Sequence, residues 1–171
     1  MKFSAQEELG LRVMSFISRQ RGDEPVTIPQ IARAERLTIP YTAKLLGILR
    51  RGKLVVGTRG PAGGYNLPRR PGEITVAEVL AVLGGRLFRA EFCKRAAGGH
   101  PACVHTTECS IRSLWNSLDL IVGEILKRTT LADLSRGEKS IAKWLRDQAP
   151  AVVEAAARAA SGAGTRAEGR T

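Results

Sequence analysis

The chain has 171 residues, of which 43% are hydrophobic and 5% aromatic, and it carries a formal net charge of +11. This hydrophobic fraction supports a folded core and excludes a disordered chain. The excess of lysine and arginine indicates a polyanionic partner, which DNA, RNA or an anionic membrane would satisfy. Because no apolar run reaches the length of a membrane span and no signal peptide opens the chain, we expect a cytoplasmic protein without a membrane partner.

The first third of the chain predicts three helices with clear start signals. The motifs SAQE at 4–7 and TIPQ at 27–30 are capping boxes, which open a first helix and a second, short one. Thr38 caps a third helix that we expect to end near Arg51. Two short capped helices joined by a tight turn form the outline of a helix-turn-helix.

The next segment predicts a β-hairpin. Residues 54–56 and 65–67 have the composition of short strands and flank a turn rich in glycine and proline. A helix-turn-helix followed by such a hairpin is a winged helix. Thr75 and Glu78 form a further capping box, and the helix that they open is expected to stop at 84–85.

A coiled-coil spacing begins at Ser110. The apolar residues that step by three and four positions are Ile111, Leu114, Leu118, Ile121 and Ile125. Such a seam belongs either to an amphipathic helix buried in its own domain or to a dimer interface. Because the seam exceeds what a small winged-helix domain covers, we expect it to pair two copies of the chain. A short helix is expected near 141–145, with a frayed helix and a flexible tail beyond Pro150.

The start of the third helix holds the expected DNA contacts, because that end of a recognition helix faces the base edges in the major groove. The candidates are Thr38, Tyr41, Thr42 and Lys44, with Arg50 and Arg51 adding charge. Ala43 could make only an apolar contact. Arg59, at the hairpin tip, is expected in the minor groove, where narrow A·T tracts attract arginine. A merely solvated basic face is the alternative, which the capped helix pair and the arginine-tipped hairpin disfavour.

All three cysteines and both histidines lie between residues 93 and 109. Cys93 and Cys103 have nine residues between them, and Cys103 and Cys109 have five. This spacing matches neither a zinc ribbon nor the compact ferredoxin motif. Because the segment is too polar and too rich in glycine to form a core, we expect its thiols to bind a metal or to react.

The segment RGPAGGYNL at 59–67 resembles the wing of the winged-helix regulators typified by the iron–sulfur regulator IscR and the nitric oxide sensor NsrR. EELGLR at 7–12, ITVAEVLAVLGG at 74–85 and TLADL at 130–134 agree with it. The resemblance covers about residues 1–135. It implies a homodimer that binds a palindromic operator in double-stranded DNA, with crossing long helices and the wing arginine, here Arg59, in the minor groove.

The resemblance also implies that Cys93, Cys103 and Cys109 hold an iron–sulfur cluster of the 2Fe-2S or 4Fe-4S type. The second gap matches the usual five residues of the family, whereas the first gap is longer than usual. For the fourth ligand, the nitric oxide sensors use a carboxylate in the first helix of the other subunit, and Glu8 stands at that position. Its alternative role is an acid that stabilises the helix N-terminus.

Imidazoles compete with Glu8 for the fourth position. The cluster-biogenesis regulator uses a histidine three residues after the last cysteine, where this chain has Arg112. His105, and after it His100, are the candidates on the cysteine segment itself. His105 would complete a three-cysteine, one-histidine site if the metal is zinc.

The expected fold is mainly α with a small β-hairpin. We expect a winged helix-turn-helix DNA-binding domain at 1–85 and a cysteine-rich cluster-binding loop at 86–109. A dimerisation helix at 110–135 follows, and then a short helix and flexible tail at 136–171. The expected function is a transcription regulator whose operator affinity responds through the cluster to nitric oxide, redox state or iron supply. A zinc site or redox-active thiols are the alternative.

An iron–sulfur electron carrier is a less favoured alternative, and an enzyme is disfavoured because the sequence has no nucleotide motif and no paired-carboxylate or Ser/His/Asp arrangement. RNA binding is disfavoured because the low aromatic content provides no stacking platform.

Overall fold

In a computed structural model, the chain is described at residues 4–20, 24–58, 60, 63–84 and 109–164. Within these ranges it forms seven α-helices and one two-stranded antiparallel sheet. The helices are α1 (Ala5–Ser18), α2 (Ile28–Glu35), α3 (Ile39–Arg51), α4 (Val76–Leu83), α5 (Ser110–Arg128), α6 (Leu131–Leu134) and α7 (Glu138–Gly164). The strands are β1 (Val56–Thr58) and β2 (Gly64–Asn66), and a 3-10 helix (Pro71–Glu73) precedes α4. The predicted mainly α fold with a small hairpin is confirmed.

The chain divides into two compact units. The first unit comprises residues 2–85 and 126–144, and the second comprises residue 1, 86–125 and 145–171. In the first unit, α1, α3 and α4 pack around one apolar core. Its members with no exposed surface are Val13, Met14, Ile31, Leu45, Leu46, Leu49, Ile74, Val79 and Leu131. No helix in the described ranges is long and apolar enough to cross a membrane.

Close packing of α1 on α4 explains a glycine in the middle of α1. A Cβ atom at Gly10 would lie 2.5 Å from both methyl carbons of Leu83. Since real Cβ atoms do not approach carbon so closely, any larger residue at position 10 would require the Leu83 side chain or the helices themselves to shift. The end of α4, where the chain leaves towards the cysteine segment, is therefore held against α1.

The helix starts that the capping motifs predicted are confirmed. The reciprocal hydrogen bonds of a capping box are present at Ser4–Glu7, Thr27–Gln30 and Thr75–Glu78. A fourth box, at Thr130–Asp133, opens α6, and the Thr130 N–H donates to Asp133 Oδ2 at 3.0 Å. Each box satisfies backbone N–H groups that the first turn of a helix leaves without an intrahelical acceptor.

The first strand begins two residues later than predicted. Val56, Gly57 and Thr58 pair with Asn66, Tyr65 and Gly64. Leu54 and Val55, predicted to lie in the strand, are instead core residues with 2% and 1% of their surface exposed. The Leu54 N–H donates to the Leu49 carbonyl at 2.9 Å and so extends the hydrogen bonding at the end of α3. Leu54 and Val55 are therefore apolar because they pack in the core, and the sheet begins only after them.

The C-terminal region also differs from the prediction. Instead of a short helix and a frayed end, α7 runs from Glu138 to Gly164 with Pro150 inside it. A proline inside a helix removes one N–H donor and its ring crowds the preceding turn, which costs about 3 kcal/mol. The alanine-rich sequence after it favours helix and offsets part of this cost. Val152 and Ala156, one turn apart, are 1% and 6% exposed. The helix beyond the proline thus has buried apolar positions, whereas a frayed helix was predicted there.

A short backbone pairing joins two distant segments within the first unit. The Val76 N–H donates to the Thr129 carbonyl at 2.8 Å, and the Leu131 N–H donates to the Ile74 carbonyl at 3.0 Å. The residues between these bonds are the two capping threonines, Thr75 and Thr130. The start of α4 and the end of α5 are therefore fixed side by side.

Candidate nucleic-acid interface

Helix α3 has one face in the core and the opposite face in solvent. Leu45, Leu46 and Leu49 have no exposed surface. The exposed residues of the opposite face are Ile39, Pro40, Lys44, Arg50 and Arg51. The helix begins at Thr38, whose Oγ1 accepts a hydrogen bond from the Tyr41 N–H at 3.4 Å. The cap lies within the first turn of the helix, and Ile39, Pro40 and Lys44 on the outer face remain exposed to solvent.

Most of the residues predicted to contact DNA lie on this outer face. Thr38, Lys44, Arg50 and Arg51 are exposed, and Tyr41 is half-buried. The Lys44 Nζ lies 5.9 Å from the centre of the Tyr41 ring, within cation–π range. The tyrosine thereby helps to orient the lysine on the helix surface.

Thr42 is the exception among the predicted DNA contacts. It has no exposed surface, and its hydroxyl donates to the Thr38 carbonyl at 3.0 Å. A buried hydroxyl that is already bonded to the preceding turn has no path to a base. The prediction that Thr42 contacts DNA is therefore wrong, because position 42 shares the helix face of Leu45, Leu46 and Leu49.

Ile39 is a surface residue that the sequence pattern did not single out. It is 55% exposed at the first position of α3. Ala43 and Gly47 follow it at intervals of four residues, both partly exposed. The exposure of Ile39 could have been predicted from the sequence, because this residue does not share the helical spacing of Leu45 and Leu49.

The hairpin and the helix-turn-helix enclose a cleft of about 450 Å³. Its walls come from the start of α2, the end of α3 and both strands, and the described residues that line it include one cation, Arg50. Tyr65 of β2 exchanges backbone hydrogen bonds with Val26, at 2.8 and 3.0 Å, which joins the hairpin to the segment before α2. Arg59, predicted at the hairpin tip, lies outside the described residues.

Two arginines of the first unit have structural partners. Arg12 donates from Nε to Glu35 Oε2 at 2.9 Å and from Nη2 to the Glu35 carbonyl at 3.0 Å, which links α1 to the end of α2. Arg69 bridges the Glu73 carbonyl and the Glu78 carboxylate. The Thr75 N–H, supported by Arg69, holds the pKa of Glu78 below its usual value. The first contact joins α1 to α2, and the second holds the segment before α4 against the start of that helix.

Two of the predicted metal ligands lie in the described part of the chain. Cys109 is a half-buried free thiol whose Sγ accepts the Arg112 N–H at 3.4 Å, so the sulfur lies at the start of α5. Glu8 is exposed on α1. Cys93, His100, Cys103 and His105 lie outside the described residues. Within the ranges given above, no group of three or more His, Cys, Asp and Glu side chains is arranged to hold a metal ion.

The capping box of α1 separates the roles of two adjacent glutamates. Glu7 is buried, and its Oε2 accepts from the Ser4 N–H at 2.7 Å and from the Ser4 hydroxyl at 2.8 Å. Glu8 is not part of this box, and its side chain faces solvent. The expectation that the neighbouring carboxylate serves the cap is confirmed.

Helix α5 exposes much of its apolar seam. Ile111 and Leu114 are 62% and 54% exposed, and no residue of the helix is fully buried. Large apolar side chains that recur on one face at this exposure indicate an interaction surface.

Comparison with known proteins gives consistent results. Residues 3–137 match the family model Rrf2, described as an iron-dependent transcriptional regulator. The regulator CymR of Bacillus subtilis (strain 168) is 31% identical over 135 residues, which are 79% of this chain and 90% of CymR. The regulator IscR of Sodalis glossinidius is 27% identical over 139 residues, 81% of each chain. The solved structure of CymR, the global cysteine regulator of B. subtilis, matches with a TM-score of 0.67 at 30% identity and covers 79% of this chain and 96% of CymR.

Proposed function

Because this chain belongs to the Rrf2 family of DNA-binding transcription regulators, as its wing and cysteine pattern predicted, we propose that its operator affinity is switched at the cysteine segment. In this proposal an iron–sulfur cluster held by Cys93, Cys103 and Cys109 is the sensor. The observation that carries it is the position of Cys109, whose sulfur lies at the first turn of the helix with the exposed apolar seam. A cluster ligand at Cys109 would be joined directly to α5, the helix through which we propose that the dimer forms.

The environment of Cys109 fits a cluster ligand. Hydrogen bonds to the sulfur atoms of the ligands and the solvent exposure of the site tune the potential of an iron–sulfur cluster. Cys109 is half-buried and accepts the Arg112 N–H. When bound, a cluster would supply sensitivity to nitric oxide, oxidants or iron supply.

Glu8 is the proposed fourth ligand, lent by the other subunit of a homodimer. The exposure of its carboxylate and the commitment of Glu7 to the cap support this role. A fourth ligand through oxygen is more easily lost than a thiolate, which suits a sensor. His105 and then His100 are the competing ligands.

The proposed dimer forms through α5. Ile111 and Leu114 would lose their exposed surface against the second copy, and burying apolar area contributes about 25 cal/mol per Å². DNA binding by two copies requires that the spacing of their α3 helices match the half-sites of the operator. A change at Cys109 that alters α5 would change this spacing. A coupling of about 1–3 kcal/mol, or roughly five- to 150-fold in affinity, would be sufficient.

On the DNA side, we propose that the outer face of α3 enters the major groove. Thr38 and Lys44 would contact bases, whereas Tyr41, Arg50 and Arg51 would contact phosphates. Their exposure around a buried helix face supports this assignment. Arg59 would enter the minor groove from the hairpin. The palindromic form of the operator follows from the two-fold symmetry of a homodimer.

A second candidate is the same DNA-binding regulator with zinc or reactive thiols in place of the cluster. The relative CymR is named as a global cysteine regulator, and a solved structure of Staphylococcus aureus CymR is that of an oxidised form, at 25% identity. A zinc site would use the three cysteines and His105. A thiol switch would need only reversible oxidation of the cysteines.

The deciding experiment is performed on protein purified without oxygen. Visible spectra and the iron, sulfide and zinc content per chain are measured first. Operator affinity is then measured before and after exposure to nitric oxide or to an iron chelator. Stoichiometric iron and sulfide, together with an affinity change of at least fivefold, would support the cluster. Zinc alone, or no metal with an affinity that responds to oxidants, would favour the second candidate. Equal affinity in every state would refute a switch.

Substitution then tests the fourth ligand. Glu8→Gln is expected to retain DNA binding while it changes the cluster spectrum and speeds cluster loss. Glu24→Gln, at another exposed carboxylate, is the matched control. If Glu8→Gln leaves the spectrum and lifetime unchanged and His105→Ala alters them, the histidine is the ligand instead.

A further inference from the structure

We infer that α3 recognises thymine methyl groups in the major groove, and that Ile39 is a specificity-determining residue for this readout. The contact surface would be a strip of three residues with small or apolar side chains, Ile39, Ala43 and Gly47. This role rests on the DNA binding of the family and adds the chemical group that is recognised.

The exposure of Ile39 has no explanation in the packing of the first unit. The other isoleucine and the leucines of α3, all of which the structure describes, lie in the core or against it, and Leu45, Leu46 and Leu49 are fully buried. Ile39 remains 55% exposed. It is not needed to start the helix either, since Thr38 provides the cap and isoleucine is only a moderate helix former.

The strip has room for close approach by DNA. A spacing of four residues places Ile39, Ala43 and Gly47 along one side of the helix. Among the described residues, a Cβ atom at Gly47 would meet only the Arg51 Nη1, at 3.7 Å, which is ordinary contact. Packing therefore does not require glycine there, although glycine inside a helix costs about 1 kcal/mol relative to alanine. A close approach to the groove accounts for this cost.

Charge identifies DNA as the occupant of the strip. Lys44, Arg50 and Arg51 are exposed on the same helix, and Glu35, at the end of α2, is paired with Arg12. In the major groove, the apolar group that a base presents is the C5 methyl of thymine. The strip matches this methyl, and the neighbouring lysine matches the acceptors of guanine.

The test combines one protein substitution with one missing DNA methyl. Duplexes are first selected from a random library by the full-length protein. Each dT of the selected half-site is then replaced, one at a time, by deoxyuridine, which lacks the methyl. For the wild type, at least one replacement is expected to weaken binding about fourfold, the equivalent of about 0.8 kcal/mol for one buried carbon.

Ile39→Ala should weaken binding to the thymine duplex and should remove the response to deoxyuridine at that position. Val153→Ala is the matched control, because Val153 is a branched residue on α7 with 54% exposure. It should bind as the wild type and keep the deoxyuridine response. Thermal unfolding of each variant establishes that the fold is retained.

Three outcomes would overturn the inference, and they can be told apart. If no deoxyuridine replacement weakens wild-type binding, methyl readout is wrong while sequence-specific binding stands. If Ile39→Ala keeps the full response at every position, another residue contacts the methyl. If the wild type enriches no sequence at all, operator recognition fails together with this inference, and a protein partner for the strip becomes the better explanation.

Discussion

Replacing Gly47 by alanine separates the stability of α3 from its DNA contacts. Glycine in a helix interior is about 0.5–1 kcal/mol less favourable than alanine because it loses more backbone entropy on folding. The new methyl would have only the flexible end of Arg51 nearby, at 3.7 Å, so no clash offsets this gain. For a chain of this size, 1 kcal/mol corresponds to about 2–4 °C in Tm. Gly47→Ala is therefore expected to raise Tm by about 1–4 °C.

The same methyl is expected to impair DNA binding. If Gly47 lies against the edges of the bases, a methyl inserted into that contact acts like an overpacked core, which costs about 1–3 kcal/mol. Affinity for a selected operator should fall about five- to 150-fold. Calorimetry and fluorescence anisotropy measure the two effects on the same preparation.

Gly123→Ala on α5 is the matched control for Gly47→Ala, because no atom of the described residues lies within 4 Å of a Cβ built at Gly123. It should show the same stabilisation with unchanged DNA affinity. Wild-type affinity of Gly47→Ala would refute the close approach of α3 to the groove. A lowered Tm would refute the assumption that the position has free space.

Three further predictions follow from exposed or titratable groups. Ile111→Asp should convert the proposed dimer to folded monomer in sedimentation experiments, because Ile111 is 62% exposed in the single chain. Asn116→Asp, at an exposed polar position of the same helix, should sediment as the wild type. If both variants remain dimeric, α5 is not the interface. The carboxylate of Glu78 has a lowered pKa, so the stability that it contributes is present above about pH 4.5 and is lost as the pH falls through the folded pKa. The Tm difference between wild type and Glu78→Gln should accordingly shrink from pH 6 to pH 3, and a constant difference would contradict this. Arg50→Ala should weaken binding to all DNA sequences equally and reduce the salt slope by about one, and a sequence-dependent loss would indicate base contact instead.

The sequence predicted best those parts of the fold that depend on local chemistry. Capping boxes bring donor and acceptor together within four residues, so their motifs identified the starts of α1, α2 and α4 without any tertiary information. The start of α6 was not predicted, because Asp133 stands where the usual capping box has glutamate or glutamine, although its spacing from Thr130 is the same.

Tertiary packing decided the features that the sequence did not predict. Leu54 and Val55 have strand composition, but the core recruits both of them, and the sheet therefore begins at Val56. Thr42 is chemically suited to a base contact, but its helix face is buried. Pro150 suggested a helix end, whereas Val152 and Ala156 provide buried positions beyond it.

The backbone hydrogen bonds beside Thr75 and Thr130 hold together the two ends of the sequence that lies between these residues. Because residues 74–76 and 129–131 are already hydrogen-bonded to each other, lengthening the segment between them does not separate its ends. Doubling the length of a flexible closed loop costs only about 0.6 kcal/mol. Residues can therefore be gained or lost around the cysteines, as in the nine-residue gap between Cys93 and Cys103, while the core that orients α3 stays unchanged. Such an arrangement would allow the sequence between the two paired segments to diversify while the winged-helix scaffold stays constant.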